Sequence, residues 1–190
     1  ELLIKLTATY GLRRSEVFGL RWKAFNFEKN TLSIFHTVYE EKGKKGGVTV
    51  IGNDIAKSKS SFRTLPLNEL VKNLLLDYRL KKYGGYLPPR DSYLFTDGNG
   101  QIMKPSHLTA SFSALLKKQG LRHIRFHDLR HASAGVLIAN RVPLIEVQQW
   151  LGHSTIRITA DLYSHLDYDI KLRSASIMKE RLFDNEQVHD

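Results

Sequence analysis

Thr31-Leu32-Ser33-Ile34-Phe35-His36-Thr37-Val38 alternates with a period of two: Leu32, Ile34, His36 and Val38 fall on one side, Ser33, Phe35 and Thr37 on the other. That periodicity predicts a strand with one buried face. Val48 with Val50, and then Phe62-Arg63-Thr64-Leu65, supply two further β-prone stretches, so a small three-stranded antiparallel sheet is expected. Its connections are loosened by Gly43, Gly46, Gly47 and Gly52. From Lys42 to Arg63 six basic residues (Lys42, Lys44, Lys45, Lys57, Lys59, Arg63) meet a single acid, Asp54. Such a face reads either as a charged surface hairpin that keeps the chain soluble or as an anion-binding one.

Outside this region the patterns are helical. Leu2, Leu3, Ile4 and Leu6 open a helix over residues 1 to 10 that Gly11 stops, and a second short helix starts at Ser15 with Glu16 in its first turn. Leu70, Leu74 and Tyr78 repeat at helical spacing, and Pro105 starts a helix carrying Leu108, Phe112 and Leu115. Leu129, Ala132, Val136 and Leu137 form a further apolar stripe; Leu144, Val147 and Leu151 form the next, ended by Gly152. The expected class is α+β, mainly helical, a helical core with the three-stranded sheet on one side. There is no internal repeat or low-complexity tract.

A chain of 190 residues with 42% hydrophobic content can bury one substantial core and is read as one domain. Lys and Arg number 29 against 19 acids, a net charge of +10, which favours a polyanionic partner, nucleic acid first. With no Cys, disulfides, thiolate catalysis and Cys-ligated zinc are excluded together, and a reducing cytosolic setting fits. No apolar run approaches the ~18 residues of a membrane-spanning helix, and Glu1-Leu2-Leu3-Ile4-Lys5 lacks the anatomy of a signal peptide. The chain opens on an apolar periodic segment without Met, as expected of one domain from a larger protein.

Four places combine cations or imidazoles with helix starts or loops: Arg13 before Glu16, the Lys57/Lys59 stretch, His127-Asp128-Leu129-Arg130-His131, and Leu151-Gly152-His153-Ser154 followed by Tyr163. Each alone has an ordinary reading as an ion pair, a satisfied polar residue or a core aromatic. In this order, G-L-R-R-S-E (11 to 16), a lysine hairpin, H-D-L-R-H (127 to 131), L-G-H-S (151 to 154) and T-A-D-L-Y-S-H (159 to 165) resemble the tyrosine recombinase, or phage-integrase, family across almost the whole chain.

The resemblance implies a catalytic domain over 1–183, a polar tail over 184–190, and N-terminal DNA-binding parts outside this sequence. It implies that Arg13 and Arg130 hold the scissile phosphate, with His127 and His153 beside it. Lys57 is then the general acid and Tyr163 the nucleophile, with Glu16 ordering the first arginine and His131 in support. Lys42, Lys44, Lys45, Lys59 and Arg63 are expected to contact DNA. Site-specific integration or excision through a 3′-phosphotyrosine intermediate follows, on double-stranded DNA in a bacterial cytoplasm. A homotetramer on two synapsed sites is implied, with Asp167 to Phe183 resembling the helix that docks on a neighbouring protomer. Accessory directionality and DNA-bending proteins are further partners; no metal, cofactor or membrane is expected. The wording of the motifs is most like integrases of bacterial mobile elements.

The residue types suit that chemistry. Guanidinium forks hold non-bridging oxygens of a pentavalent phosphorus bidentately and stay charged at any working pH. A phenol with an ordinary pKa of about 10 needs neighbouring cations or a base before it attacks. The departing 5′ oxygen is a stronger base than phenolate and needs a proton, which an ammonium on a hairpin supplies. Strand alternation points Lys57 and Lys59 the same way, so Lys59 stays a rival acid. Tyr168 is a rival nucleophile, without the preceding Thr159 and following His165 of the pattern.

Two other classes compete. His127 and His131 stand at i and i+4, the spacing of a two-histidine zinc site, but Asp128 stands where a metalloprotease wants Glu and Arg130 sets a cation between the ligands. A catalytically idle DNA-binding module would use the same basic surface without Tyr163 or the paired arginines and histidines. A covalent protein–DNA adduct on a denaturing gel separates it from an enzyme. A type IB topoisomerase shares the adduct but not the demand for a specific paired site.

Overall fold

The computed structural model describes residues 1–42, 48–55, 61–157, 176 and 178. Helix α1 (Leu2–Tyr10) ends at Gly11, whose left-handed backbone (φ 58°, ψ 37°) turns the chain into α2 (Arg14–Gly19). Strands β1 (Phe25–Asn26), β2 (Thr31–Ile34), β3 (His36–Lys42), β4 (Val48–Asp54) and β5 (Arg63–Pro66) follow. Four helices complete the described chain: α3 (Glu69–Tyr83), α4 (Pro105–Lys118), α5 (Asp128–Ala139) and α6 (Leu144–Leu151). The class is α+β and mainly helical, as the sequence indicates.

The strands divide differently from the expected single sheet. Antiparallel β1, β2 and β5 form a three-stranded sheet, while β3 and β4 form a separate two-stranded one. The stretch from Thr31 to Val38 changes partner at Phe35. Up to Ile34 it pairs with β5, Ile34 lying opposite Arg63; from His36 it pairs with β4, His36 lying opposite Asp54. Phe35 itself accepts a hydrogen bond from the Ile55 amide at 2.7 Å, which carries the ladder across the switch. The side chains keep one phase throughout, with Leu32, Ile34, His36 and Val38 all buried.

Leu32, Ile34 and Val38 join Leu6, Tyr10, Leu12, Val17, Phe18, Leu65, Val71, Leu75 and Leu94 in the main core. A smaller cluster, Ala134, Ile138, Val147 and Leu151, locks α5 to α6. Trp150 belongs to the edge of both and stacks on Tyr10 at 5.9 Å, joining α6 to α1. Two helices sit at a different rotation from the one their apolar spacing suggests. In α3, Val71 and Leu75 are buried and Leu70 is 60% exposed. In α5 the inward face is Arg130, Ser133, Ala134 and Ile138, while Val136 is 62% exposed. A charged residue occupies the core-facing side of α5, so its apolar stripe could not mark that side.

Candidate active site

Arg13 is the residue before α2, and its amide donates to Glu16 Oε2 at 2.9 Å, the half of a capping box in which the third helical residue reaches back. Its guanidinium donates from Nη1 to Glu16 Oε1 at 2.7 Å and from Nη2 to the carbonyl of Gly152 at 2.8 Å. Arg130, on the first turn of α5, donates from Nη1 to the carbonyl of Gly11, and that nitrogen lies 4.0 Å from Glu16 Oε2. Each arginine therefore reaches the carbonyl of a glycine that ends a helix, α6 for Arg13 and α1 for Arg130. The negative pole of a helix C-terminus suits a guanidinium. A Cβ on Gly11 would collide with the Leu151 side chain and stand 3.3 Å from Ser133 Oγ, so α1 approaches α5 and α6 this closely only through glycine.

Glu16 is 1% exposed and serves three arginines, because Arg63 also donates to both of its oxygens, at 3.1 and 3.0 Å. Burial works against ionisation, yet the charge and hydrogen bonds of Arg63, then those of Arg13, hold its carboxyl below the usual range. The group carries three positive charges against one negative. For Arg130 the consequence is a guanidinium pushed down to about 9, by burial first and then by Arg13, with Arg63 adding to the effect against the pull of Glu16. It stays charged at neutral pH, and its buried Nη2 has no hydrogen-bond partner among the described residues. Such a cluster favours an added anion.

His153 follows the left-handed Gly152 and is buried; its amide donates to Gln148 O at 3.1 Å, and Gln148 Nε2 donates back to its carbonyl at 3.2 Å. Burial, then the charges of Arg130, Arg13 and Arg63, push its imidazole down to about 4. His127 is exposed at the start of α5, its ring edge-on to that of exposed His131 at 4.9 Å. Partial desolvation of the ring by the atoms packed around it, and then His131 and Arg130, lower its pKa as well. No third His, Asp or Glu joins this pair in a metal-ligating group among the described residues.

His127 lines an open cleft of about 480 Å³ with Arg13, Arg14, Ser15, Thr109, Arg125 and Phe126. A second cleft of about 230 Å³ shares Arg14 and Ser15 and reaches Lys42, at the outer end of β3. The structure thus brings together Arg13, Glu16, Arg130 and His153, with His127 along the same cleft as Arg13. Lys44, Lys45, Lys57, Lys59, Tyr163, Tyr168 and the 184–190 tail lie outside the described residues. Arg63 departs from its expected place on the DNA-facing hairpin: its side chain is 5% exposed and bound to Glu16, so it presents no free cation to a duplex. Nothing in the spacing of Glu16 and Arg63 signals their pairing.

A second buried polar group lies at the root of the β3–β4 hairpin. His36 contacts Asp54 at 2.5 Å from Nδ1, and Tyr93 Oη and Arg21 Nη2 at 2.9 and 3.1 Å from Nε2. The sequence shows His36 only as an inward position of a strand.

The profile of the phage integrase family matches residues 1–169. A tyrosine recombinase XerC-like protein of Caldanaerobacter subterraneus is 34% identical over 169 residues, covering 82% of this chain and 43% of the relative. The ICEBs1 integrase of Bacillus subtilis is 28% identical, covering 82% and 42%. Among solved structures, the Tn1549 transposon integrase in complex with circular intermediate DNA superposes with a TM-score of 0.75 at 28% identity, over 95% of this chain and 59% of that one. XerH recombinase bound to difH substrate, a pre-cleavage complex, gives 0.61 at 27% identity, over 93% and 46%. The chain spans less than half the length of these sequence relatives.

Proposed function

The chain belongs to the phage integrase family, and from that premise we propose that residues 1–183 form the catalytic domain of a site-specific recombinase that cuts and rejoins DNA through Tyr163. The observation that carries this reading is the buried cluster in which Arg13 and Arg130 meet at Glu16 with an excess of positive charge. A phosphodiester entering beside it would supply the missing anion, and its non-bridging oxygens would find guanidinium donors already oriented.

The phenol oxygen of Tyr163 attacks phosphorus, the Tyr163–phosphorus bond forms, and the bond to the 5′ oxygen breaks. His127 and His153 are both held toward the neutral state, in which an imidazole can take the phenol proton. Lys57 gives a proton to the departing 5′ oxygen. The product is a 3′-phosphotyrosine and a free 5′ hydroxyl; attack by a 5′ hydroxyl reverses the step. One phosphoester replaces another, so resealing calls for no ATP, and the arginines carry the charge stabilisation that a metal supplies in other phosphoryl transfers.

Lys42, Lys44, Lys45 and Lys59 track the DNA backbone, and His131 supports His127. The partners are double-stranded recombination sites, a homotetramer across two of them, and accessory bending or directionality proteins. The process is integration or excision of a mobile element in a bacterial cytoplasm. Among the described residues no helix is long and apolar enough to cross a membrane. A nicked cognate site traps the intermediate, and a denaturing gel reads it. The native protein gives a covalent adduct; Tyr163→Phe gives none and Arg130→Ala loses at least about 10²-fold, the scale of removing one oriented donor from a developing anion. An adduct that persists in Tyr163→Phe overturns the proposal.

A further inference from the structure

We propose that Arg63 is a positioning residue of the phosphate site: it occupies Glu16 so that Arg13 is held in one orientation and Arg130, at 4.0 Å, makes no hydrogen bond to the carboxylate. The inference rests on the reading that Arg13 and Arg130 bind the scissile phosphate, but not on where Arg63 lies in the sequence, which suggests a DNA contact.

Arg63 opens β5, an edge strand of the three-stranded sheet, opposite Ile34. Its two terminal nitrogens meet the two Glu16 oxygens as parallel bonds of 3.1 and 3.0 Å, and Nη1 also donates to the Ser61 carbonyl at 3.1 Å. A fork of this kind fixes the plane of the carboxylate as well as its position. Arg13 takes what remains, 2.7 Å to Oε1 from the side chain and 2.9 Å to Oε2 from the amide. With four donors placed, the carboxylate's ordinary acceptor capacity is filled.

Arg130 then stands at 4.0 Å from Glu16 and bonds the Gly11 carbonyl instead. Without Arg63, a carboxylate buried at 1% exposure would lose two of its four bonds, and the nearest unshared cation is Arg130. A buried carboxylate deprived of its partner is costly enough to reorganise its neighbours. Capture of Arg130 would draw it from phosphate, and rotation of the carboxylate would release the Arg13 side chain from its line between Glu16 and Gly152.

The test compares a scissile phosphate with a scissile methylphosphonate, in which a neutral methyl group replaces one non-bridging oxygen and removes the negative charge, in the intact protein. Arg63→Met is expected to slow single-turnover cleavage of the phosphate by roughly 10²-fold, as misplacing a charge-stabilising donor does. On methylphosphonate the deficit shrinks to within about fivefold, because the arginines there have less charge to hold. In an Arg13→Ala background Arg63→Met costs less than it does alone, because the part that acts through Arg13 is already lost while the part that acts through Arg130 remains. The dependence of DNA affinity on salt keeps its slope.

Arg63→Lys, which keeps the charge but not the fork, falls between the native protein and Arg63→Met and carries the same comparison if Arg63→Met fails to fold. An equal deficit on both substrates, full activity in Arg63→Lys, or a salt slope reduced by about one, the mark of a lost phosphate contact, overturns the proposal. Arg13→Ala tests the underlying reading separately: if methylphosphonate does not relieve its own deficit, the phosphate-site assignment falls, whatever Arg63 does.

Discussion

His153 is buried, and three arginine side chains raise further the cost of a positive charge there, so its neutral form is held down to about pH 4. An unfolded histidine takes its proton near pH 6.5. As pH falls from about 6.5 toward 4 the unfolded chain therefore binds a proton that folded His153 refuses, and stability drops with falling pH. His36 and His127, also lowered, act with the same sign. Melting temperature is expected to decline between pH 7 and pH 5, and His153→Gln to flatten part of that slope; a variant with an unchanged slope would show that burial of His153 is not the cause. At this scale the order of motifs made Arg13, Glu16, Arg130 and His153 legible, because each stands in a short run of distinctive wording. Arg63 was not legible: among lysines on β-prone sequence, a buried arginine looks like another surface cation until the fold reveals Glu16.

Elements supply what single residues cannot, the close approach of backbones. Gly11 and Gly152 end α1 and α6 in left-handed turns, and their carbonyls receive the two central arginines. Gly11→Ala is expected to cost roughly 1–2 kcal/mol for a side chain at positive φ and a further ~1–3 kcal/mol for the overlap with Leu151. Chemical denaturation measures the sum, and cleavage should fall with it because the acceptor of Arg130 shifts. A variant as stable and active as the native protein would mean the α1–α5–α6 junction yields easily. Gly19 plays a similar part between α2 and β3, since a Cβ there would strike the His36 carbonyl. The period-two alternation from Thr31 to Val38 predicted the buried side of β2 and β3 correctly. It could not show the partner switch at Phe35, which is set by β4 and β5 rather than by the strand's own side chains. Helix phase was lost in α5 for a related reason: Arg130 and Ser133 face inward to meet Gly11, and apolar spacing has no means of marking them.

For the whole molecule, a net charge of +10 predicts attraction to a duplex that weakens steeply with salt. Lys42, exposed at the rim of the cleft it shares with Arg14, should contribute one phosphate contact. Lys42→Ala is then expected to lower the slope of log affinity against log salt by about one, equally for cognate and random sequence; an unchanged slope would remove Lys42 from the DNA track. The central claim, that the clustered arginines serve a tyrosine nucleophile on DNA, is tested most directly by mapping the trapped adduct. After proteolysis of the complex formed on a nicked site, mass spectrometry should find the nucleotide on the peptide containing Tyr163, joined through a 3′ phosphate, with a free 5′ hydroxyl on the released strand. Attachment at Tyr168, a 5′-linked nucleotide, or cleavage with no protein-bound nucleotide would contradict it.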